Sequence, residues 1–104
     1  MTDPELYRRL DGLTELHAWA HCDALGEVIA HGGPAPASLA GVAPTLLLQA
    51  TEIGRDLGLG VLHELELHGR VHLMCLPREG GALLVETASR GALSPVSQLL
   101  AETV

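Results

Sequence analysis

The run Ser38 to Leu57, SLAGVAPTLLLQATEIGRDL, is the stretch whose reading decides the fold. At 3.6 residues per turn Leu39, Ala43, Leu46, Ala50, Ile53 and Leu57 fall on one narrow stripe, the pattern of a helix lying on a core. A second stripe runs beside it through Ala40, Leu47, Thr51, Gly54 and Gly58, most of them small. Gly54 inside a helix costs roughly 1 kcal/mol relative to Ala, and close approach by another backbone is one reason to keep it. The arrangement predicts that one stripe covers a sheet while the other meets a second copy of the same helix. The competing reading makes Gly54 a tolerated imperfection on a solvated flank. Pro44 falls in the second turn, where it is expected to bend the helix or leave its start ragged. Gly58 and Gly60 end it.

Upstream, Asp3 and Pro4 open a first helix by cap and first-turn logic. Leu6, Leu10 and Leu13 form its apolar stripe, Tyr7 lies at the edge, and it ends near Thr14 to Leu16. His17 to Cys22 reads as a strand with Ala18, Ala20 and Cys22 on one face and His17, Trp19 and His21 on the other. Asp23-Ala24-Leu25-Gly26 turns it into a second strand, Glu27 to His31, and Gly32 to Pro36 leads into the central helix. Downstream, Val61 to His68 alternates as a third strand. Gly69-Arg70 is a two-residue hairpin turn, and Val71 to Leu76 returns. Pro77 to Gly81 turns again into a fifth strand, Ala82 to Thr87. Ser94-Pro95 opens a last short helix with Val96, Leu99 and Leu100 inward. The order αββαβββα with short hairpins predicts an α+β fold: one antiparallel sheet covered by helices on both faces.

Composition bounds the possibilities. A chain of 104 residues is long enough for a modest core and too short for two, so residues 1–104 are expected to form a single domain. Trp19 and Tyr7 are its only aromatic residues and Phe is absent, so Leu, Val, Ile and Ala must build the core. A net charge of −7 without a single Lys argues against nucleic acid and anionic membranes as partners. Met1 to Leu10 carries no apolar leader run, and no 18-residue apolar stretch exists anywhere. The expectation is a cytoplasmic protein in which Cys22 and Cys75 stay free thiols.

Six histidines invite a metal or catalytic hypothesis. His17 and His21 share a strand face but stand roughly 13 Å apart along it, too far for one zinc bound at about 2.0–2.1 Å. A two-residue turn sets His72 opposite Leu67 and His63 opposite Leu76, leaves His63 and His72 separated along one face, and points His68 the other way. No Cys-x-x-Cys or His-x-Glu-x-x-His-type spacing occurs. Ser38, Thr45 and Ser94 are caps and turn residues rather than nucleophiles, and Cys22 and Cys75 read as small buried hydrophobes. Gly58-x-Gly60 lacks the rest of a phosphate loop and follows a helix instead of preceding one. The expectation is no catalytic residue, no cofactor and no metal.

What remains is surface for contact. Val61 to His68 reads as a long edge strand without proline, which proteins cover or pair. Pairing with its own copy across a two-fold would set the two central helices side by side; alternatively Glu64 and Glu66 simply blunt the edge. The expected dimer surface is Leu47, Thr51 and Gly54 on the helix with Val61, His63, Glu64, Leu65, Glu66, Leu67 and His68 on the strand. Leu48, Glu52 and Arg55 point away from both stripes and form a candidate docking point for a partner.

Three blocks, Asp23 to His31 (DALGEVIAH), Ala50 to Gly60 (ATEIGRDLGLG) and Gly80 to Val85 (GGALLV), occur in an order and spacing that resemble the roadblock family. These are the dynein-light-chain-like domains that also occur as bacterial GTPase regulators. The resemblance spans nearly the whole chain and rests on the series of elements more than on any one residue. It implies a five-stranded antiparallel sheet with the long helix on one face and the terminal helices on the other. It also implies a homodimer, or a heterodimer with another roadblock-type subunit, joined through the long helix and third strand. Family members are scaffolds, and several bind Ras-like small GTPases; the gliding-motility member accelerates hydrolysis by its partner without donating a catalytic residue. Carried over by position, the dimer surface matches Leu47, Thr51, Gly54 and Val61 to His68, and the GTPase-facing surface includes Leu48, Glu52 and Arg55. Pro44 and the short lead-in over 32–37 depart from the family pattern. The function so implied is a non-enzymatic GTPase regulator or scaffold. A structural adaptor without a nucleotide-linked role is the alternative, and a histidine-bearing ligand or metal sensor ranks third.

Overall fold

The computed structural model describes residues 4–14, 16–33, 37–78 and 80–88 together with Pro95, Gln98 and Leu99, residues 37–39 through their backbone only. The elements are α1 (Pro4–Asp11), β1 (Leu16–Asp23), β2 (Val28–Gly32), α2 (Ala37–Asp56), β3 (Leu65–His68), β4 (His72–Arg78) and β5 (Gly81–Thr87). The five strands form one sheet in the order β2-β1-β5-β4-β3, antiparallel throughout. The antiparallel α+β sheet is the one that the hairpin turns predict, but it is not a simple meander: β3 to β5 follow in chain order, whereas β1 lies between β2 and β5 and α2 connects the two edges of the sheet. The expected caps Asp3, Ser38 and Ser94, the lead-in 34–36, and Val96 and Leu100 lie outside the described residues or side chains. Pro95, Gln98 and Leu99 are helical, and Leu99 packs on the α1 face.

Leu6 and Leu10, one turn apart, bury the inner side of α1. Glu5 in its first turn and Arg8 and Arg9 in its last complement the helix dipole. The helix stops at Asp11, earlier than the leucine spacing suggests, because the Gly12 amide closes it onto the Arg8 and Arg9 carbonyls at 3.1 and 3.2 Å. Asp11 then accepts a 2.8 Å hydrogen bond from the Trp19 indole, and the Tyr7 ring stacks on Trp19 at 5.0 Å. Leu6, Leu10, Trp19, Met74, Leu83 and Val85 form the core on this face. On the other face Cys22, Ala40, Ala43, Leu73, Cys75, Ala82 and Leu84 form a second core. Residues 82–85 of the inner strand β5 are all buried, because successive side chains enter opposite cores.

The Asp23 carboxylate ties the β1–β2 turn by accepting from the amides of Leu25 and Glu27 at 2.9 and 3.0 Å. Gly26 takes φ +86 there, and a Cβ on it would stand 2.8 Å from the Ala40 carbonyl of α2. Pro44 lacks the amide that this carbonyl would meet one turn on. The turn thus seats the N-terminal half of α2 through backbone alone. α2 runs unbroken through Pro44 for 20 residues.

Four expectations are corrected. The residues that meet the sheet are Ala43 from the predicted core stripe with Ala40 and Leu47 from the stripe beside it, whereas Ile53 and Leu57 of the predicted core stripe are 59% and 68% exposed. Small residues win this contact because they let the helix axis approach the sheet closely. The third strand covers only Leu65–His68, and Val61 to Glu64 is not strand. The register pairs Leu65 with Cys75 and His68 with His72. Extended backwards, it would set His63 against Pro77, which has no amide to continue the ladder. The same register means a three-residue connection through Gly69, Arg70 and Val71 rather than a two-residue turn. That one-residue slip turns His68 to the side of His72 and away from its expected direction.

Candidate interaction surface

The last turns of α2 have little sheet beneath them. From Leu48 to Val61 no residue is buried, although the stretch holds Leu48, Ile53, Leu57, Leu59 and Val61, exposed by 59–80%. A helix of this length spans about 30 Å, and with β3 confined to four residues the sheet does not reach under its C-terminal half.

The end of α2 is built to hold this surface in place. The Gly58 amide bonds the Arg55 carbonyl at 3.0 Å and the Leu59 amide bonds the Gly54 carbonyl at 2.8 Å; with Gly58 at φ +72 this is a Schellman cap. In that cap the Leu59 side chain would ordinarily lie against the residue at position 54. Glycine there offers nothing, and Leu59 is 74% exposed. A Cβ on Gly54 would meet only the Gly60 carbonyl, at 3.9 Å. Nothing described in this chain therefore requires glycine at 54 on steric grounds.

The predicted surface residues divide into two groups. Thr51 is exposed and donates its hydroxyl to the Leu47 carbonyl at 2.7 Å, which leaves its methyl outward. Thr51 and Pro77 are shared by two adjoining hollows on the flank of α2. One of about 390 Å³ also takes in Leu47, Leu48 and Pro44; the other, of about 680 Å³, takes in Arg55, Gly58, Gly60 and Val61. Leu48 and Arg55, expected to face a separate partner, thus share this groove with Leu47 and Thr51, while Glu52 is exposed beside them. Leu47 also packs on the sheet core. Leu65 faces the α2-side core and Leu67 is 42% exposed. Glu66 and His68 lie at alternate positions, on the opposite face, and His63 and Glu64 are exposed in the irregular segment before β3.

Sequence reasoning missed Ile53, Leu57 and Leu59 as surface residues. The available signal was the pair Ala40 and Ala43, one from each predicted stripe, whose small size suits a close helix–sheet contact between the two.

The remaining titratable groups lie elsewhere. Burial pushes the Cys75 thiol up to about 11 and raises that of Cys22, so neither is poised as a nucleophile. His21, 5% exposed, holds the Tyr7 hydroxyl at 2.5 Å through Nδ1, while its Nε2 is buried without a hydrogen-bond partner among the described residues. Desolvation, with the positive charges of the N-terminus and Arg78, lowers its pKa. Among the described residues no group of three or more His, Cys, Asp or Glu side chains converges as a metal site, and no helix is long and apolar enough to cross a membrane.

No protein-family model and no curated protein matches the sequence. Solved structures do match its shape. The gliding protein MglB of Thermus thermophilus superposes with a TM-score of 0.74 at 21% identity, over 95% of this chain and 80% of that one. Myxococcus xanthus MglB gives 0.73 at 15% identity over 99% and 97%. A Roadblock/LC7 domain from Streptomyces avermitilis gives 0.69 at 17% identity over 84% and 78%. A further MglB structure, in a tetrameric arrangement, gives 0.77 at 20% identity over 96% and 82%. The chain has the roadblock fold.

Proposed function

We propose that this chain, a single roadblock-type domain, acts in the cytoplasm as a non-enzymatic dimeric regulator or scaffold for a small Ras-like GTPase. The observation that carries the reading is the uncovered half of α2. A helix seated by Ala40 and Ala43 continues past its support, ends in a rigid cap, and presents Leu48, Ile53, Leu57, Leu59 and Val61 to solvent. Single exposed leucines need no explanation; a run gathered on one helix end marks an interaction site. The likeness to MglB in fold supports this choice of partner class, as does the resemblance of the three sequence blocks.

The self-association surface is Leu47, Thr51 and Gly54 with the segment Val61 to His68. Its mate is a second copy or another roadblock-type subunit. Leu48, Glu52 and Arg55 contribute to the GTPase-facing side, and the groove that Leu48 and Arg55 share with Thr51 joins the two surfaces. The test combines sedimentation of the chain alone with single-turnover GTP hydrolysis by a candidate GTPase in its presence. A dimer that changes the hydrolysis or exchange rate is expected. A dimer that binds the GTPase without changing either rate would make the chain an adaptor, and a monomer at high concentration would remove the proposal.

A further inference from the structure

His68 and His72 stand directly opposite each other on β3 and β4. Their Nδ1 atoms are 2.7 Å apart, with ring centroids 4.9 Å apart and planes inclined by 56°. Two neutral imidazoles reach this distance when one donates its proton to the other. On the far side of the His68 ring, Glu66 Oε1 lies 3.7 Å from Nε2. A carboxylate at that position favours the tautomer with hydrogen on Nε2, leaving the Nδ1 lone pair of His68 directed at His72.

We infer that His68 and His72 form a two-histidine site for an imidazole-preferring divalent transition metal such as Zn²⁺, clipped across the β3–β4 hairpin. Each ring brings its Nδ1 to the other. Nitrogens that share one ion at about 2.0–2.1 Å sit roughly 2.9–3.4 Å apart for ordinary bond angles, so the present separation opens by about half an ångström on binding. His72 gives up its Nδ1 proton to solvent or moves it to Nε2 as the ion enters. Glu66 stays in place as the carboxylate behind His68, and water fills the remaining coordination positions. The site is accessible: the His68 and Glu66 side chains are 30% and 40% exposed. Glu66 and His72 lie in line with Met74, on the α1 side of the sheet, away from the α2-side groove. An ion there would cross-link the short edge strand to its only partner in the sheet.

The experiment is a Zn²⁺ titration of the full chain against a chromogenic chelator, with thermal unfolding followed in the same samples. One Zn²⁺ per chain and a raised melting temperature are expected, since an ion held only by the folded hairpin stabilises it. His68→Ala and His72→Ala each reduce binding to the level of the double variant, whereas His17→Ala and His31→Ala leave it unchanged. Glu66→Gln weakens affinity about tenfold while keeping the stoichiometry. Wild-type binding no tighter than that of the double variant would overturn the site, as would equal losses on removing His17 or His31. Sedimentation of the metal-free chain reads self-association separately, so failure of the metal site and failure of the dimer are distinguishable.

Discussion

The two halves of α2 belong to one continuous helix of 20 residues yet obey different rules. Up to Leu47 the helix is held by Ala40 and Ala43, both fully buried, over a core of Cys22, Leu73, Cys75 and Leu84, with Gly26 pressed against its backbone. Beyond Leu47 larger apolar side chains stand in the open. Burial therefore runs opposite to side-chain size along this helix. The small residues make the intramolecular contact, and the large ones are left for a contact that the described residues do not make. Hydrophobic periodicity alone ranks Ile53 and Leu57 above Ala40, and so carries the core stripe from Ala43 on into the exposed end of the helix instead of across to Ala40 and Leu47.

The contrast can be broken at either end. Ala43→Leu in the seated half is expected to overpack the α2-side core and reduce stability by about 1–3 kcal/mol, read from urea midpoints. Ile53→Ser or Leu57→Ser in the free half should stay within about 0.5 kcal/mol for the monomer, as exposed substitutions do, while weakening self-association. Equal losses in the two halves would mean that the C-terminal half is seated as well.

Gly54→Leu sharpens the same comparison with a smaller effect of opposite sign. The position has open space and no positive φ, so the monomer is expected to gain up to about 1 kcal/mol from helix propensity. Self-association, by contrast, should weaken in sedimentation. A dimer that survives Leu at 54 unchanged would take the helix out of the seam.

The smallest effect concerns the opposite face of the sheet, where the core holds a polar group. The pKa of His21 is lowered in the folded state, so the unfolded chain binds its proton more readily. The stability this contributes is complete above the unfolded value of about 6.5. It is lost as pH falls through the folded value. Urea midpoints should fall from pH 7.5 to pH 5, and His21→Gln should flatten that slope; an identical slope in the variant would assign it to other groups. No comparable dependence is expected from the α2-side core, whose titratable members, the two cysteines, are raised in pKa by burial.

The strands β1, β2, β4 and β5 were legible to within one or two residues at either end, because alternation and the Asp23 and Gly80-Gly81 turns leave few options. The edge strand was not. Whether Gly69 and Arg70 or Gly69 to Val71 form the turn is a local choice of small energy, and packing on both faces of the sheet selects the register that buries Leu65 beside Cys75 and Leu73. With that register come the early end of β3 at Pro77 and the meeting of His68 with His72, neither of which residue spacing alone distinguishes.

The amino-acid sequence determined the order of the described elements, the β1–β2 and β4–β5 turns, the free thiols and the extent of the long helix, since each follows from backbone preferences acting over a few residues. Only the tertiary structure decided which stripe of α2 touches the sheet, how far the edge strand runs, and which histidines become neighbours. Those outcomes depend on how closely two backbones approach and on which partner a strand finds, and neither quantity resides in any single stretch of the chain.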